Sequence, residues 1–189
     1  MAHRAGLDTQ RVVAAAAELI DSAGVDALTL AALAERLHVR IPSLYNHITG
    51  LDGLRRELAL LAMRGLAEAL GRATIGKSGD AAIFALGNAY RGYATSHPGL
   101  YAMLQRVPPN ADDEVRAVSF APVEVTLAVL AGFGLEGDEA IHSTRALRSA
   151  LHGFVLLEMA GGFALNVSVD ESFARLLAML ARGLRNAGT

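Results

Sequence analysis

The run from Leu28 to His47, LTLAALAERLHVRIPSLYNH, constrains this chain more than any other stretch. Thr29 is an N-cap by type, and Leu30, Leu33, Ala34 and Leu37 recur at the spacing of a short amphipathic helix. His38–Arg40 leaves room only for a tight turn. Pro42 then suits the opening of a second helix, where a fixed φ and a missing N–H cost nothing. That helix is brief and is expected to end near Ile48-Thr49-Gly50. Two short helices joined by a three- or four-residue turn are the geometry of a helix-turn-helix, whose second helix enters the major groove of DNA.

The flanking sequence is helical by the same reasoning. Ala and Leu dominate the 189 residues while β-branched residues are sparse, so the fold class is all-α. Met1–Leu7 is expected to be a disordered arm. Asp8 or Thr9 caps a first helix with an apolar stripe of Val12, Val13, Ala16, Leu19 and Ile20, closed by a left-handed Gly24. After Gly50 a longer helix starts near Asp52 and carries Leu54, Leu58, Leu61 and Leu70 to about Arg72. Thr74–Gly79 is the clearest break in the chain. Asp80–Thr95 forms another helix, stopped by Ser96-His97-Pro98 because the residue before Pro avoids the α region. Pro98 opens a short helix with Leu100, Tyr101 and Leu104, and Val107-Pro108-Pro109-Asn110 is a loop. A helix from about Asp112 to Phe133 is bent or interrupted at Pro122. A long helix over Asp138–Gly161 and a last one over Glu171–Arg185 follow. The chain thus divides into an N-terminal three-helix head, residues 1–52, and a helical body for ligand binding and dimerisation, residues 53–189.

Composition narrows the function classes. With no Cys there is no disulfide, no thiolate metal site and no Cys nucleophile, which fits a reducing, cytoplasmic setting. The net charge of −2 is not that of a general polyanion binder, and Lys77 is the only Lys. Any DNA contact must come from a local arrangement of side chains. Met1–Asp8 is polar and lacks the apolar core of a signal peptide. Ala117–Leu135 has the length of a membrane span, but Pro122 and Glu124 lie inside it, so a buried helix explains it better.

Two nucleotide-binding patterns raise the alternative of a nucleotide- or dinucleotide-binding enzyme. Gly71–Ser78 matches the P-loop spacing, and Gly132–Gly137 matches G-x-G-x-x-G. The first follows LALLAMRGLAEAL, whose spacing is helical, where a P-loop needs a strand. The second is followed by Asp138 and Glu139, whose carboxylates would repel a pyrophosphate at that helix start. Both read better as interhelical connections. No two His stand at i, i+4, His142 and His152 lie on different helix faces, and no nucleophile elbow occurs, so neither a metal site, a cofactor nor an enzyme is expected.

Ala14-Ala15, Leu19, Gly24, Thr29, Leu33-Ala34, Val39, Pro42-Ser43-Leu44-Tyr45, His47 and Leu54 follow the order and spacing of the TetR family of bacterial transcriptional repressors, and the first sixty residues resemble it. The chain departs from the pattern twice. His38 stands where the family usually has Gly, implying a left-handed backbone on a non-Gly residue. Leu51 stands where the family usually has a phosphate-contacting Lys. In the body, His97-Pro98-Gly99-Leu100-Tyr101 and Arg145–Phe154 resemble the WHG-type C-terminal domain of a TetR/AcrR-like subgroup.

The resemblance implies a homodimeric repressor of a pseudo-palindromic double-stranded DNA operator, relieved by a small, largely apolar effector. Residue chemistry agrees. Arg40, Ser43, Tyr45, Asn46 and His47 are hydrogen-bonding groups on a helix too short to need them for solubility. Thr29, Ser43, Tyr45 and His47 suit phosphate oxygens; Arg40 and Asn46 suit base edges; Ile41 beside Pro42 can meet a thymine methyl. An effector pocket is expected among Tyr90, Tyr93, Leu100, Tyr101, Leu104, Leu127, His152, Val155, Glu158 and Met159, polar tips set in an apolar lining. Ser149–Leu165 is apolar nearly all round, so a dimer face is expected over Ser149, Gly153, Phe173, Leu176, Leu177 and Leu180.

Overall fold

The computed structural model describes residues 7–104 and 112–187. The expected arm over Met1–Gly6 and the loop at Val107–Asn110 lie outside them. Among the described residues the elements are helices: α1 Thr9–Ala23, a 3-10 turn at Val25–Ala27, α2 Leu30–Arg36, α3 Ile41–Leu44, α4 Gly50–Thr74, α5 Gly79–Ser96, α6 Pro98–Met103, α7 Asp113–Ala131, α8 Gly137–Met159 and α9 Val169–Ala187. No strand precedes Gly71–Ser78 or Gly132–Gly137. The first begins inside the last turn of α4 and the second links α7 to α8, so neither pattern has the strand that phosphate binding requires. No described helix is long and apolar enough to cross a membrane.

Contacts divide the chain into two compact units. The first takes in residues up to Met63 together with Ser96–Val118, and the second holds Arg64–Thr95 and Ser119–Thr189. The sequence places a single cut after residue 52. The structure instead returns α6 and the start of α7 to the head, because their apolar side chains pack there.

In the first unit Val12, Ala16 and Ile20 of α1, Leu33 of α2, Leu44 of α3 and Leu54 and Leu58 of α4 form one buried core. Each such Leu or Ile, removed from water, contributes roughly 1.5–3 kcal/mol before chain entropy is counted. Leu7 packs on this core and so does not belong to a free arm. Asp8 caps α1 by accepting the Arg11 N–H at 2.7 Å, and Thr29 caps α2 by accepting the Ala32 N–H at 3.1 Å. Gly24 ends α1 with φ 83° and ψ 162°. This is not the left-handed helical cap expected from sequence but an extended positive-φ conformation open essentially only to glycine.

Helix α6 is locked onto α1. Asp21 accepts the Leu100 N–H at 2.9 Å and holds His97 Nδ1 at 3.0 Å, satisfying the first turn of α6 from outside. Gly99 lies so close to the end of α1 that a β-carbon there would overlap the Ile20 carbonyl and sit 2.6 Å from the Asp21 amide nitrogen. Leu100 and Met103 are thereby part of the head core, with Leu104 against it.

In the second unit Phe173, Leu177, Ala181 and Leu184 bury one face of α9. Gly87 of α5 makes room for Leu177, whose Cδ1 would lie 3.0 Å from any β-carbon at that position. Arg91 of α5 pairs with Glu158 of α8, its Nε donating at 2.7 Å, and with Asp170 of α9 at 2.7 Å. Its guanidinium lies 5.0 Å from the centre of the Phe173 ring. Helix α7 runs through Pro122 without a break, so the expected interruption is absent. The ring removes only the N–H that would have bonded Val118, a local loss that a 19-residue helix absorbs.

Candidate nucleic-acid interface

The helix-turn-helix is built from α2, the turn Leu37–Arg40 and α3. The turn closes through a Val39 N–H to Ala34 carbonyl bond of 2.9 Å and through His38 at φ 54°. That is the left-handed conformation the His-for-Gly replacement implies. Helix α3 is shorter than sequence suggests. Regular turns stop at Leu44, and the chain tightens as both His47 N–H and Ile48 N–H reach the Leu44 carbonyl at 2.9 and 3.0 Å. Tyr45, Asn46 and His47 therefore lie just past the helix, on the turn into α4. Arg40 is the α3 N-cap with no side-chain bond to it.

This arrangement sorts the residues cleanly. Leu44 and Ile48 are buried and anchor the segment. Arg40, Ile41, Pro42, Tyr45 and Asn46 face solvent, Tyr45 at 58% exposure, and Ser43 and His47 are half-buried. The Arg40 side chain has no hydrogen-bond or ion-pair partner among the described residues, leaving its full fork of donors available. Thr29 spends an acceptor lone pair on the α2 cap and keeps its O–H for another partner. Pro42 is exposed beside Ile41 in the first turn. Thr9, not anticipated from sequence, donates its hydroxyl to the His47 carbonyl at 3.1 Å and ties the start of α1 to the end of the reading segment. No sequence pattern marks that pairing across 38 residues.

Beside this segment runs a groove of about 500 Å³ lined by Thr9, Tyr45, His47, Thr49, Arg56 and Glu57, among others. Arg56 is bound on three sides. Its Nε donates to Asp112 at 2.6 Å, its Nη2 to Glu114 at 2.7 Å and its Nη1 to Glu57 at 2.7 Å. The Arg56 guanidinium, aided by the Val115 N–H, holds the Asp112 carboxyl down at about 2. Leu51 is half-buried against the head core and offers no charge.

The expected effector residues do not all fold together. Tyr90, Tyr93, Leu127, His152, Val155, Glu158 and Met159 belong to the second unit, whereas Leu100, Tyr101 and Leu104 fold with the head. The Pro98-Gly99 step fixes the latter group against α1, a constraint that hydropathy does not reveal. Tyr90, Tyr93 and Val155 are buried, Leu127 and His152 half-buried, and Met159 is exposed at the end of α8. A β-carbon on Gly65 would lie 2.9 Å from the Tyr93 hydroxyl. Glu158 is not a free polar anchor, because Arg91 holds it. Desolvation, and secondarily the nearby Arg148, push the His152 pKa down.

The expected dimer residues also divide. Phe173 and Leu177 are 1% and 0% exposed within their own chain, so they are core and not surface. Ser149 faces solvent, Gly153 has open space where a side chain would project, and Leu176 and Leu180 are half-buried. Helices α8 and α9 leave Ile141, Leu156, Leu157, Met159 and Met179 as exposed large apolar residues.

The comparisons agree on ancestry at both ends of the chain. Residues 12–58 match the family described as bacterial regulatory proteins, tetR family, and residues 83–180 match the tetracyclin repressor-like C-terminal domain. The HTH-type transcriptional regulator Rv0681 of Mycobacterium tuberculosis is 36% identical over all of this chain and 87% of its own. YobS of Bacillus subtilis, also an HTH-type transcriptional regulator, is 37% identical over 97% of this chain and 96% of its own. A solved TetR variant from Acinetobacter baumannii AYE, in complex with minocycline, superposes with a TM-score of 0.72 at 25% identity, covering 97% of this chain and 99% of that one. With a reading segment anchored by Leu44 and Ile48 and relatives of this kind along its whole length, the chain belongs to the TetR family of transcriptional regulators and carries a DNA-binding helix-turn-helix at its N-terminal end.

Proposed function

We propose that the protein is a cytoplasmic repressor that binds a pseudo-palindromic operator as a homodimer and releases it on taking up a small, largely apolar effector. The observation that carries the DNA part is the exposed, unpaired Arg40 at the start of α3, beside exposed Ile41, Tyr45 and Asn46. Arg40 and Asn46 read base edges, and Ile41 with Pro42 meets thymine methyls. Thr29, Ser43, Tyr45 and His47 bind phosphates and fix register.

Exposed Leu156 and Leu157 of α8 and Met179 of α9, with Ser149 and Gly153 as small residues on α8, support a dimer built on these two helices. Two such faces would bury each other, and the small residues would let the helices approach closely. Leu176 and Leu180 form its half-buried margin. A two-fold protein matches a two-fold operator.

Tyr90, Tyr93, Leu127, His152 and Val155 support an effector site within the second unit. The minocycline bound to the similar TetR variant supports a small-molecule effector of some kind here. Relief requires that the effector bind the non-reading geometry more tightly than the reading one; equal affinity would shift nothing.

A mobility-shift titration on DNA flanking the coding region, with footprinting of any shifted fragment, tests the reading. A protected inverted repeat is the expected outcome. Failure to shift any duplex in low salt would overturn it.

A further inference from the structure

The Arg56 cluster is not accounted for by the contacts assigned above, and its composition is unusual. One guanidinium meets three carboxylates, those of Glu57, Asp112 and Glu114. One acid would suffice to fasten α4 to the start of α7. The side chains of Asp112 and Glu114 are about half exposed, at 48% and 51%, so both pairs are in contact with water.

The location matters as much as the charge. Among the described residues Arg56 is the one Lys or Arg lining the groove whose other walls include Tyr45 and His47 at the end of the reading segment. Thr49 lines the same groove. These are neutral or weakly basic hydrogen-bonding groups, suited to a phosphate once a full positive charge is present. At the start of α4 Leu51 packs inward and offers no charge. A guanidinium binds a carboxylate and a phosphodiester through the same fork of N–H groups.

We propose that the groove takes a backbone phosphate of duplex DNA on Arg56, and that Asp112 and Glu114 are internal phosphate mimics that mask it until DNA displaces them. This rests on the DNA-binding reading above. Three carboxylates meet the one guanidinium, so masking lowers affinity for any duplex, while the base contacts of α3 are untouched. A segment of the chain that binds the same cation as the DNA backbone is a built-in competitor.

The test uses the full-length protein and random-sequence duplex DNA, with affinity measured across a salt series. Asp112→Asn keeps an oxygen for the α7 cap, where Asp112 now accepts the Val115 N–H at 2.9 Å. The double variant Asp112→Asn, Glu114→Gln is expected to bind several-fold more tightly at low salt. Its log–log salt slope should steepen by about 0.9, the increment of one phosphate contact. In an Arg56→Gln background the same two changes should leave the slope unaltered.

A simple staple predicts the opposite: loss of the acids lowers the melting temperature and leaves the slope where it was. That result overturns the proposal, as does a gain that persists without Arg56. If the double variant melts early, Glu114→Gln alone carries the same test with the same expected sign. Wild-type protein that binds no duplex at all removes the DNA reading and this proposal together; wild-type binding with an unchanged slope removes only the latter.

Discussion

Gly99 and Ile20 come so close that the backbone of α1 occupies the space a side chain at position 99 would need. With Asp21 bonded to both His97 and the Leu100 amide, this makes the α1–α6 junction a contact between backbones. Gly99→Ala should therefore cost the head about 1–3 kcal/mol or more, since neither neighbour can move aside alone. Gly92→Ala is the matched control. It lies inside α5 with nothing within 4 Å, and should stabilise by about 0.5–1 kcal/mol through reduced backbone freedom in the unfolded chain. Urea unfolding of the two variants should give opposite signs.

His38 holds φ at 54°, a conformation that disfavours any residue with a β-carbon. His38→Gly should relieve about 1 kcal/mol of strain, reduced by the added freedom of the unfolded chain. A midpoint that falls in urea would show that the His side chain contributes something the turn geometry does not reveal.

The Arg40 side chain has no partner among the described residues, so Arg40→Ala should leave thermal stability unchanged while costing roughly 1–3 kcal/mol of discrimination at one base pair. Tyr45→Phe and His47→Ala should weaken all sequences alike. Selection from a random DNA pool separates the two behaviours. A selected profile identical to wild type for Arg40→Ala would remove that residue from the base-reading set.

Acid should destabilise the protein through two groups with the same sign. His152 has its folded pKa pushed below the ordinary 6.5, so the unfolded chain binds the proton more readily and stability falls as pH drops through 6.5. Asp112, held at about 2 against an ordinary 3.8, contributes stability above 3.8 that is lost as pH falls towards 2. Melting curves of His152→Asn between pH 8 and 5 should be flatter than wild type, whereas those of Asp112→Asn should differ in shape only near pH 4 and below.

Leu156→Glu combined with Met179→Glu should give well-folded monomers, since both side chains are exposed in the single chain. Leu177→Glu should instead unfold the body, because that residue is fully buried. Sedimentation velocity with circular dichroism distinguishes these outcomes. A monomeric wild type at micromolar concentration would eliminate the dimer.

The sequence-legible part of the fold is what short-range chemistry controls. Asp8 and Thr29 cap where their types imply, the helices expected from near Asp52 and from Asp138 begin within two residues of those positions, at Gly50 and Gly137, and Leu33, Leu44 and Leu54 are core. What escaped notice depends on pairings distant in sequence. The bonds of Thr9 to His47, Asp21 to Leu100 and Arg56 to Asp112 span 38, 79 and 56 residues, and no periodicity encodes them. Leu100 and Leu177 illustrate the other limit: an apolar residue on an amphipathic helix has a direction, but its partner is chosen by the whole fold. Leu100 went to the head and Leu177 to its own core, so neither is available for the role its spacing suggested.

A four-residue helix such as α3 is about 6 Å long and cannot recover the cost of its own nucleation. Its shape is imposed by Leu44 and Ile48 plugged into the core and by the Thr9 hydroxyl on the His47 carbonyl. The capacity to read DNA is consequently not portable. A peptide of residues 28–48 is a coil, and grafting those side chains onto another short helix transfers the letters without the posture. Heat should abolish recognition in one step with the melting of α1, with no interval in which the head is folded but cannot read.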